Sequence, residues 1–353
     1  MSRNTTGLSS GGGGLTPKAL FYMSLLAVQF GLQPILTQRY IPAGSDTKLI
    51  VIVMEFSKII LGSTMLTIGS ARGQAGEGGW AKAFDGWSIK SWFTVAGVPA
   101  VLYSIQNLLA LTAYQTLDSV TFNVLNQTKT LSAALFCFII LGRRQSQMQV
   151  MALLLLVLAA LIIEGTISIK KIFGNSDSNE EEEEQGERQE IDPIKHFSLG
   201  VLPCLLASLI SGLAGALSQR NLQKGGGRNS FLFSMEMAVF SIITLGISKF
   251  AAGDKKGEGD ADGGWNHTML IPILFQACGG LFVGLVTKYA GSVRKGFALL
   301  VGIVLTGIFQ AGLVGRPITM EQIYGTFLVI VATYLHLTNP YVHSQTENQK
   351  KKQ

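Results

Sequence analysis

Apolar residues dominate ten stretches of this chain, at 18–37, 48–69, 91–114, 119–141, 147–169, 197–219, 230–250, 268–288, 294–314 and 320–337. Short polar or glycine-rich segments separate them. A helix that crosses a bilayer needs about 20 mostly apolar residues, and each stretch is near that length. The pattern predicts an all-α polytopic membrane protein with ten transmembrane helices. Together the stretches consume most of the 353 residues, which leaves no room for a soluble catalytic domain.

Three polar tracts divide the pattern. Residues 1–17 open with MSRNTTGLSSGGGG, without an apolar signal-peptide core, so the first span is expected to act as its own signal-anchor. Residues 170–196 hold the acidic run NSDSNEEEEEQGERQE, read as a solvated linker on the lumenal side. Residues 338–353 form a polar tail. The linker splits the chain into halves, 18–169 and 197–337, that resemble each other. At an offset of 181, GLQPILTQR (Gly31 to Arg39) lies over GLAGALSQR (Gly212 to Arg220), and Met54-Glu55 over Met235-Glu236. At an offset of 173, Ser119-Val120 lies over Ser292-Val293, Gly142-Arg143 over Gly315-Arg316, and Gln149 over Gln322. Five spans per half is an odd number, so the second half enters the membrane from the opposite side. The expected architecture is two inverted five-helix repeats, a design that underlies alternating access around a midplane site.

Composition fits this picture. The chain is 48% hydrophobic and 14% charged, with mean hydropathy +0.36. Its 41 glycines suit close helix packing in a membrane. The net charge of +6 comes from loops and carries no basic and aromatic patch, which excludes nucleic acid as the partner. Cys137, Cys204 and Cys278 all lie in apolar spans, so neither a disulfide framework nor a metal site is expected. Of the 28 Lys and Arg, 16 fall on the side that both termini share, 10 on the other, and Lys58 and Lys129 inside the membrane. The bias predicts cytosolic termini.

Lys129 is the most informative of these cations. It sits within SVTFNVLNQTKTLSAALFCFIIL, where a cation costs about 2.5–3.5 kcal/mol on insertion scales. Such a lysine faces a polar cavity or a partner, and a polar cavity with a cation suits an anionic substrate. Glu55 and Lys58, three apart in the second span, form either a structural ion pair or part of a site. Glu236 stands at the repeat position of Glu55 without a lysine beside it. Asn126 and Gln127 add polar lining next to Lys129, and Glu164 belongs at the lumenal end of the fifth span.

The run YSIQNLLALTAYQTLDSVTFNVLNQTKTLSAALFCFIILGRRQS (Tyr103 to Ser146) resembles the nucleotide-sugar transporters of the drug/metabolite transporter superfamily. MEFSKII (Met54 to Ile60), SGLAGALSQRNLQK (Ser211 to Lys224) and RKGFALLVGIVLT (Arg294 to Thr306) agree with it. Within the family, QFGLQPILTQRYIP and TLDSVTFNVLNQTK look closest to plant-type UDP-N-acetylglucosamine transporters of the endoplasmic reticulum. The resemblance implies an antiporter, not an enzyme, that imports a cytosolic UDP-sugar in exchange for lumenal UMP. UDP-N-acetylglucosamine is favoured, with UDP-N-acetylgalactosamine beside it. It implies no cofactor, and a homodimer is compatible with it.

The same resemblance assigns residues. Lys129 matches the family lysine that contacts substrate phosphate, and Lys295 the second lysine, with Lys295 expected nearer the cytosol and Lys129 near the centre. Ordinary positive-inside charge remains the other reading of Lys295, and the better one for Arg294. Tyr103 and Asn107, with Gln106 between them, match positions for the nucleobase or ribose; inter-helix packing is the alternative. Glu55 matches a glutamate near the nucleoside, Asn229 and Ser211 match positions near the nucleotide, and Glu236 is a secondary candidate. Phe122 and Phe233 stand where some relatives carry tyrosine, which weakens a transfer from sialic-acid carriers. The tail Lys350-Lys351-Lys352-Gln353 resembles a dilysine retrieval signal, which points to the endoplasmic reticulum or Golgi. Asn266-His267-Thr268 is a glycosylation sequon that abuts a span.

Three rival readings follow. One is a carrier for CMP-sialic acid or UDP-galactose. Another is an exporter of triose phosphate, amino acids or drugs, of which the lysine pair disfavours the amino-acid and neutral-drug cargoes. The last is a membrane enzyme, disfavoured because His196, His267, His336 and His343 are scattered and no nucleophile motif stands in a lumenal loop.

Overall fold

A computed structural model describes residues 15–42, 45, 47–71, 79–117, 119–163, 197–224, 227–251, 266–315 and 318–341. The expected N-terminal tail (save its last residues), acidic linker, Glu164 and dilysine tail lie outside the described residues. All described regular structure is helical. In chain order it comprises α1 (Pro17–Tyr40), α2 (Thr47–Ala71), the short α3 (Trp80–Ala83) and α4 (Ile89–Trp92), α5 (Val98–Thr116), α6 (Ser119–Leu141) and α7 (Gln147–Ile163). It continues with α8 (Leu202–Gln223), α9 (Ser230–Ala251), α10 (Leu270–Tyr289), α11 (Ser292–Val314) and α12 (Met320–Thr338).

Among the described residues, seven helical segments are long and apolar enough to cross a bilayer: Pro17–Tyr40, Leu49–Ala71, Ile89–Ala113, Phe197–Gln223, Ser230–Ile247, His267–Tyr289 and Ser292–Leu313. The chain is thus a polytopic, integral membrane protein. The expected spans at 119–141, 147–169 and 320–337 are helical without joining that set. The described apolar part of α6 is Thr128–Leu141, which includes Lys129, and the described part of α7 has 17 residues. Glu321, Gln322 and Thr326 dilute the start of α12.

Local chemistry explains where helices begin and end. Both α6 and α11 end on a glycine in the left-handed region, Gly142 (φ 66°) and Gly315 (φ 75°), a conformation that side chains disfavour. Both helices that follow open on a capping box. Gln149 N–H donates to Ser146 Oγ at 3.1 Å while Ser146 N–H donates to Gln149 Oε1 at 3.1 Å. Thr319 and Gln322 exchange the same two bonds at 3.1 and 3.2 Å. A π-helical turn precedes α5 (Phe93–Gly97) and another precedes α8 (Phe197–Val201). Each stands just before a proline, Pro99 or Pro203, whose ring displaces the carbonyl four residues back.

The helices pack in pairs. α1 lies on α10 and α11, α8 on α5 and α6, α2 on α9, and α7 on α12. Small residues set the closest approaches. A Cβ on Gly31 would lie 2.9 Å from Leu305 Cβ, and one on Gly212 would lie 2.5 Å from the Ser132 carbonyl carbon. Ala134, Ala152, Leu156, Ala159, Phe297 and Ala332 form one core among α6, α7, α11 and α12. Ala19, Leu26, Val286 and Ala298 form a second among α1, α10 and α11.

Candidate functional site

The site is built along the seam between α6 and α8, which run parallel. Cys204 Sγ approaches Phe122 O at 3.7 Å, Ser208 Oγ donates to Leu125 O at 3.3 Å, and Cys137 Sγ donates to Gln219 Oε1 at 3.3 Å. These pairs keep a separation of 82 or 83 residues. Lys129 lies four residues after Leu125 and three before Ser132, so it shares their face of the helix. The same register sets it level with Ser211.

α11 enters this seam in the opposite direction. Ser292 N–H donates to Gln219 Oε1 at 2.7 Å, at the level of Cys137, while Gly296 packs against Thr130, with a Cβ there 3.1 Å from Thr130 Cγ2. Lys295 therefore falls level with the turn of α6 that follows Lys129, about one 5.4 Å helical pitch away. It lies on the side of the 142–146 loop. α5 supplies the third wall. A Cβ on Gly215 would lie 3.9 Å from Tyr103 Oη and 3.4 Å from Ser292 Oγ. The tyrosine hydroxyl thus reaches both α8 and the start of α11. One turn further along α5, Asn107 is exposed and Gln106 is half-buried.

Four elements thus bring Tyr103, Lys129, Ser211 and Lys295 to one region. Along the α6 axis the two lysines are offset by about a turn, and two such cations suit an anionic ligand. Hydroxyls from Tyr103 and Ser211 add donors, and an aromatic ring offers a stacking face.

The other expected site residues are engaged elsewhere. Glu55 is buried and holds Lys58 Nζ at 2.8 Å. The Lys58 stem rests on Gly280 of α10, where a Cβ would lie 2.6 Å from Lys58 Cε. Asn229 caps α9: its Oδ1 accepts from Phe231 N–H at 2.8 Å and Leu232 N–H at 3.2 Å. Glu236 is buried, accepts from Trp87 Nε1 at 2.8 Å, and pairs with Arg228 through both carboxylate oxygens, with Arg228 Nε 3.1 Å from Oε2. Phe233 is buried against Ala96, Leu222 and Phe240, and Phe122 packs beside Ala113, Leu117 and Cys204. Asn266 caps a 3₁₀ turn by accepting from Thr268 N–H at 3.2 Å.

Sequence reasoning missed two polar groups. Gln33 Nε2 donates to Thr37 Oγ1 at 3.1 Å and Pro272 O at 3.2 Å, and the buried Gln29 Nε2 reaches Gln276 Oε1 at 3.3 Å. The four-residue spacing of Gln29, Gln33 and Thr37 on α1 was the available signal. Gln219, the second, carried a signal only as a repeat match. A cavity of about 570 Å³ opens away from the lysines, among Phe30, Pro34, Ile303, Gln310, Gln322 and Thr326, and no cation lines it. Among the described residues no cluster of His, Cys, Asp and Glu could hold a metal ion.

Known proteins resemble this chain. The nucleotide-sugar transporter family model matches residues 20–337. The UDP-N-acetylglucosamine transporter ROCK1 of Arabidopsis thaliana is 34% identical over 336 residues, covering 92% of this chain and 94% of that protein. The UDP-N-acetylglucosamine/UDP-N-acetylgalactosamine transporter nstp-4 of Caenorhabditis elegans is 32% identical, over 69% of this chain and 68% of its own. The human UDP-galactose translocator is 30% identical, over 68% and 56%. A solved crystal structure superposes with a TM-score of 0.60 over 90% of this chain and 95% of that one, at 13% identity, which supports the fold alone. The chain belongs to the nucleotide-sugar transporter family, and it is a transporter rather than an enzyme.

Proposed function

We propose that this protein is an antiporter that imports a UDP-sugar into the lumen of the endoplasmic reticulum or Golgi in exchange for UMP. UDP-N-acetylglucosamine is the favoured cargo and UDP-N-acetylgalactosamine the next. The names of the Arabidopsis and Caenorhabditis relatives support that order. Relatives named for UDP-galactose support that sugar as the second reading.

What supports the proposal is the helix register that sets Lys129 level with Ser211 and Lys295 about one turn along the α6 axis, with Tyr103 on the adjoining α5. An ammonium is a compact point charge with three donors, and two of them near each other favour a diphosphate over a neutral cargo. Their attraction is to the phosphates that UDP-sugar and UMP share, which suits exchange of one for the other. Tyr103 and Asn107 are then placed for the nucleoside. Discrimination among sugars rests on further contacts, each worth about 1–3 kcal/mol.

Alternating access between two inverted five-helix repeats, 18–169 and 197–337, completes the reading. Its support is that matched positions do matched jobs. Gly142 and Gly315 end their helices alike, and Ser146/Gln149 and Thr319/Gln322 cap theirs alike. Gly31 meets Leu305 as Gly212 meets Ser132, which the offsets of 181 and 173 relate. α1 on α10 and α11 mirrors α8 on α5 and α6. Ten crossings then place both termini in the cytosol, the acidic linker in the lumen, and the terminal lysines where a retrieval signal is read.

The test is uptake of labelled UDP-N-acetylglucosamine into proteoliposomes preloaded with UMP. Wild type is expected to take up label only with UMP inside, and folded Lys129→Ala to lose at least 90% of the rate. Movement of another nucleotide sugar instead changes the cargo alone. If folded protein moves no nucleotide sugar, the proposal fails.

A further inference from the structure

Two Gln-Arg pairs end the first helices of the two halves, Gln38-Arg39 in α1 and Gln219-Arg220 in α8, and the 181-residue offset relates them. Their surroundings differ sharply. Gln219 is 2% exposed. Its Oε1 accepts the Ser292 amide at 2.7 Å, and its Nε2 donates to Gln223 Oε1 at 2.9 Å. Gln223 Nε2 in turn donates to the carbonyls of Thr287 and Lys288, at 2.9 and 2.7 Å. Ser292 Oγ donates to Gly215 O at 2.6 Å. These bonds clasp the corner between α10 and α11 onto the end of α8. The corner turns on Gly291, at φ 92°, where a Cβ would lie 2.9 Å from Gln219 Nε2. Lys295 follows Ser292 by three residues, so the clasp fixes where that lysine enters the site.

Gln38 is exposed. The corner that corresponds to its partner is the start of α6, because the 173-residue offset relates Ser119 to Ser292. α8 packs on both α10 and α11, whereas α1 has no comparable packing on α5 or α6 among the described residues. Among the described residues, the clasp is made at the α10–α11 corner, and Gln38 makes no such bond. A helix N-terminal amide carries no intrahelical partner, so each corner has a donor that a glutamine can take.

We propose that Gln219 and Gln38 are reciprocal positioning residues of the transport cycle. In the state seen here Gln219 holds the Ser292 amide and closes the end bearing the α10–α11 corner. In the opposite state Gln219 lets go, and Gln38 accepts the Ser119 amide to close the end bearing the α5–α6 corner. Neither glutamine touches cargo; each acts through the helix whose start it holds. The proposal rests on the alternating-access reading of the fold.

The test combines cross-linking with kinetics on the full chain in membranes. Two cysteine pairs are made, Gln219→Cys with Ser292→Cys and Gln38→Cys with Ser119→Cys, each against its single-cysteine controls. In a background with Cys137 replaced by serine, both pairs are expected to be captured by a short bifunctional thiol-alkylating reagent such as a bis-maleimide. In a chain carrying both pairs, capture of one is expected to exclude the other. In proteoliposomes, Gln38→Leu is expected to cut the maximal exchange rate about tenfold with KM changed less than threefold, and Gln38→Glu, which keeps the acceptor, to recover most of it. Simultaneous capture of both pairs, or failure of the 38/119 pair alongside a wild-type rate for Gln38→Leu, overturns the proposal. Alternate capture in a protein that moves no nucleotide sugar leaves the clasp standing and rejects the function; normal exchange without 38/119 capture does the reverse.

Discussion

At the scale of single residues, Glu236 shows how a buried charge takes its role from its partners. It is 5% exposed, and it is held by Arg228 and Trp87, at the head of α9. The Arg228 side chain is itself only 8% exposed. Removing one member of such a pair leaves an uncompensated charge and costs about 3–5 kcal/mol, while replacing both with apolar groups is often neutral. Glu236→Gln is therefore expected to lower the melting temperature of the purified protein strongly. Glu236→Leu with Arg228→Met is expected to restore most of it and to retain transport. A stable double variant that no longer transports would return Glu236 to the nucleotide site. Lys129 was legible in the sequence because one cation interrupts a long apolar run. The partners of Glu236 were not, since Trp87 is 149 residues away and Arg228 lies beyond a helix start that one-dimensional periodicity does not orient.

At the scale of elements, the position of the helices was readable and their internal breaks were not. Apolar runs and polar gaps placed α1, α2, α9, α10 and α11 within a few residues of where they stand. The π turns before α5 and α8 depend on what happens to a carbonyl after proline displaces it, which is a tertiary matter. Pro99 has no N–H for the carbonyl of Val95, and Asn221 Nδ2 of α8 donates to that carbonyl at 2.8 Å instead. The bond fastens the kinked start of α5 to the far end of α8. Asn221→Leu keeps the volume and strips the donor, so it leaves a shielded carbonyl unpaired at a cost of about 1–3 kcal/mol. The expected result is a lower melting temperature that Pro99→Ala, by returning a backbone donor, partly reverses. An Asn221→Leu protein that melts like wild type would mean that water or a neighbouring group already serves Val95.

At the scale of the whole molecule, the two lysines depart from the sequence match between the halves. The offset that relates α6 to α11 puts Gly302 at the position of Lys129, and Phe122 at that of Lys295. Gly302 has no room for a side chain, since a Cβ there would lie 2.9 Å from Phe30 Cβ and 3.0 Å from Ala27 O. Matching residues at fixed offsets exposed the two-fold design, but not this division of labour, because packing decides which copy keeps space for a cation. On the proposed reading one anion site is shared between halves: Lys129 and Tyr103 belong to the first, Ser211 and Lys295 to the second. A phosphate held by both lysines ties the halves together, so it binds the folded protein and not the unfolded chain. Mass action then stabilises the fold, by about 2.7 kcal/mol at a ligand concentration 100 times its Kd. Melting curves of the detergent-purified protein are expected to rise with UMP and with UDP-sugars in a concentration-dependent way. Lys129→Ala and Lys295→Ala are each expected to abolish the rise. Uridine, which keeps the nucleoside and lacks the phosphate, is expected to give little shift at the same concentrations. Stabilisation by uridine equal to that by UMP would show that the nucleoside alone carries the binding, and the two lysines would then have to be reassigned to holding the helices.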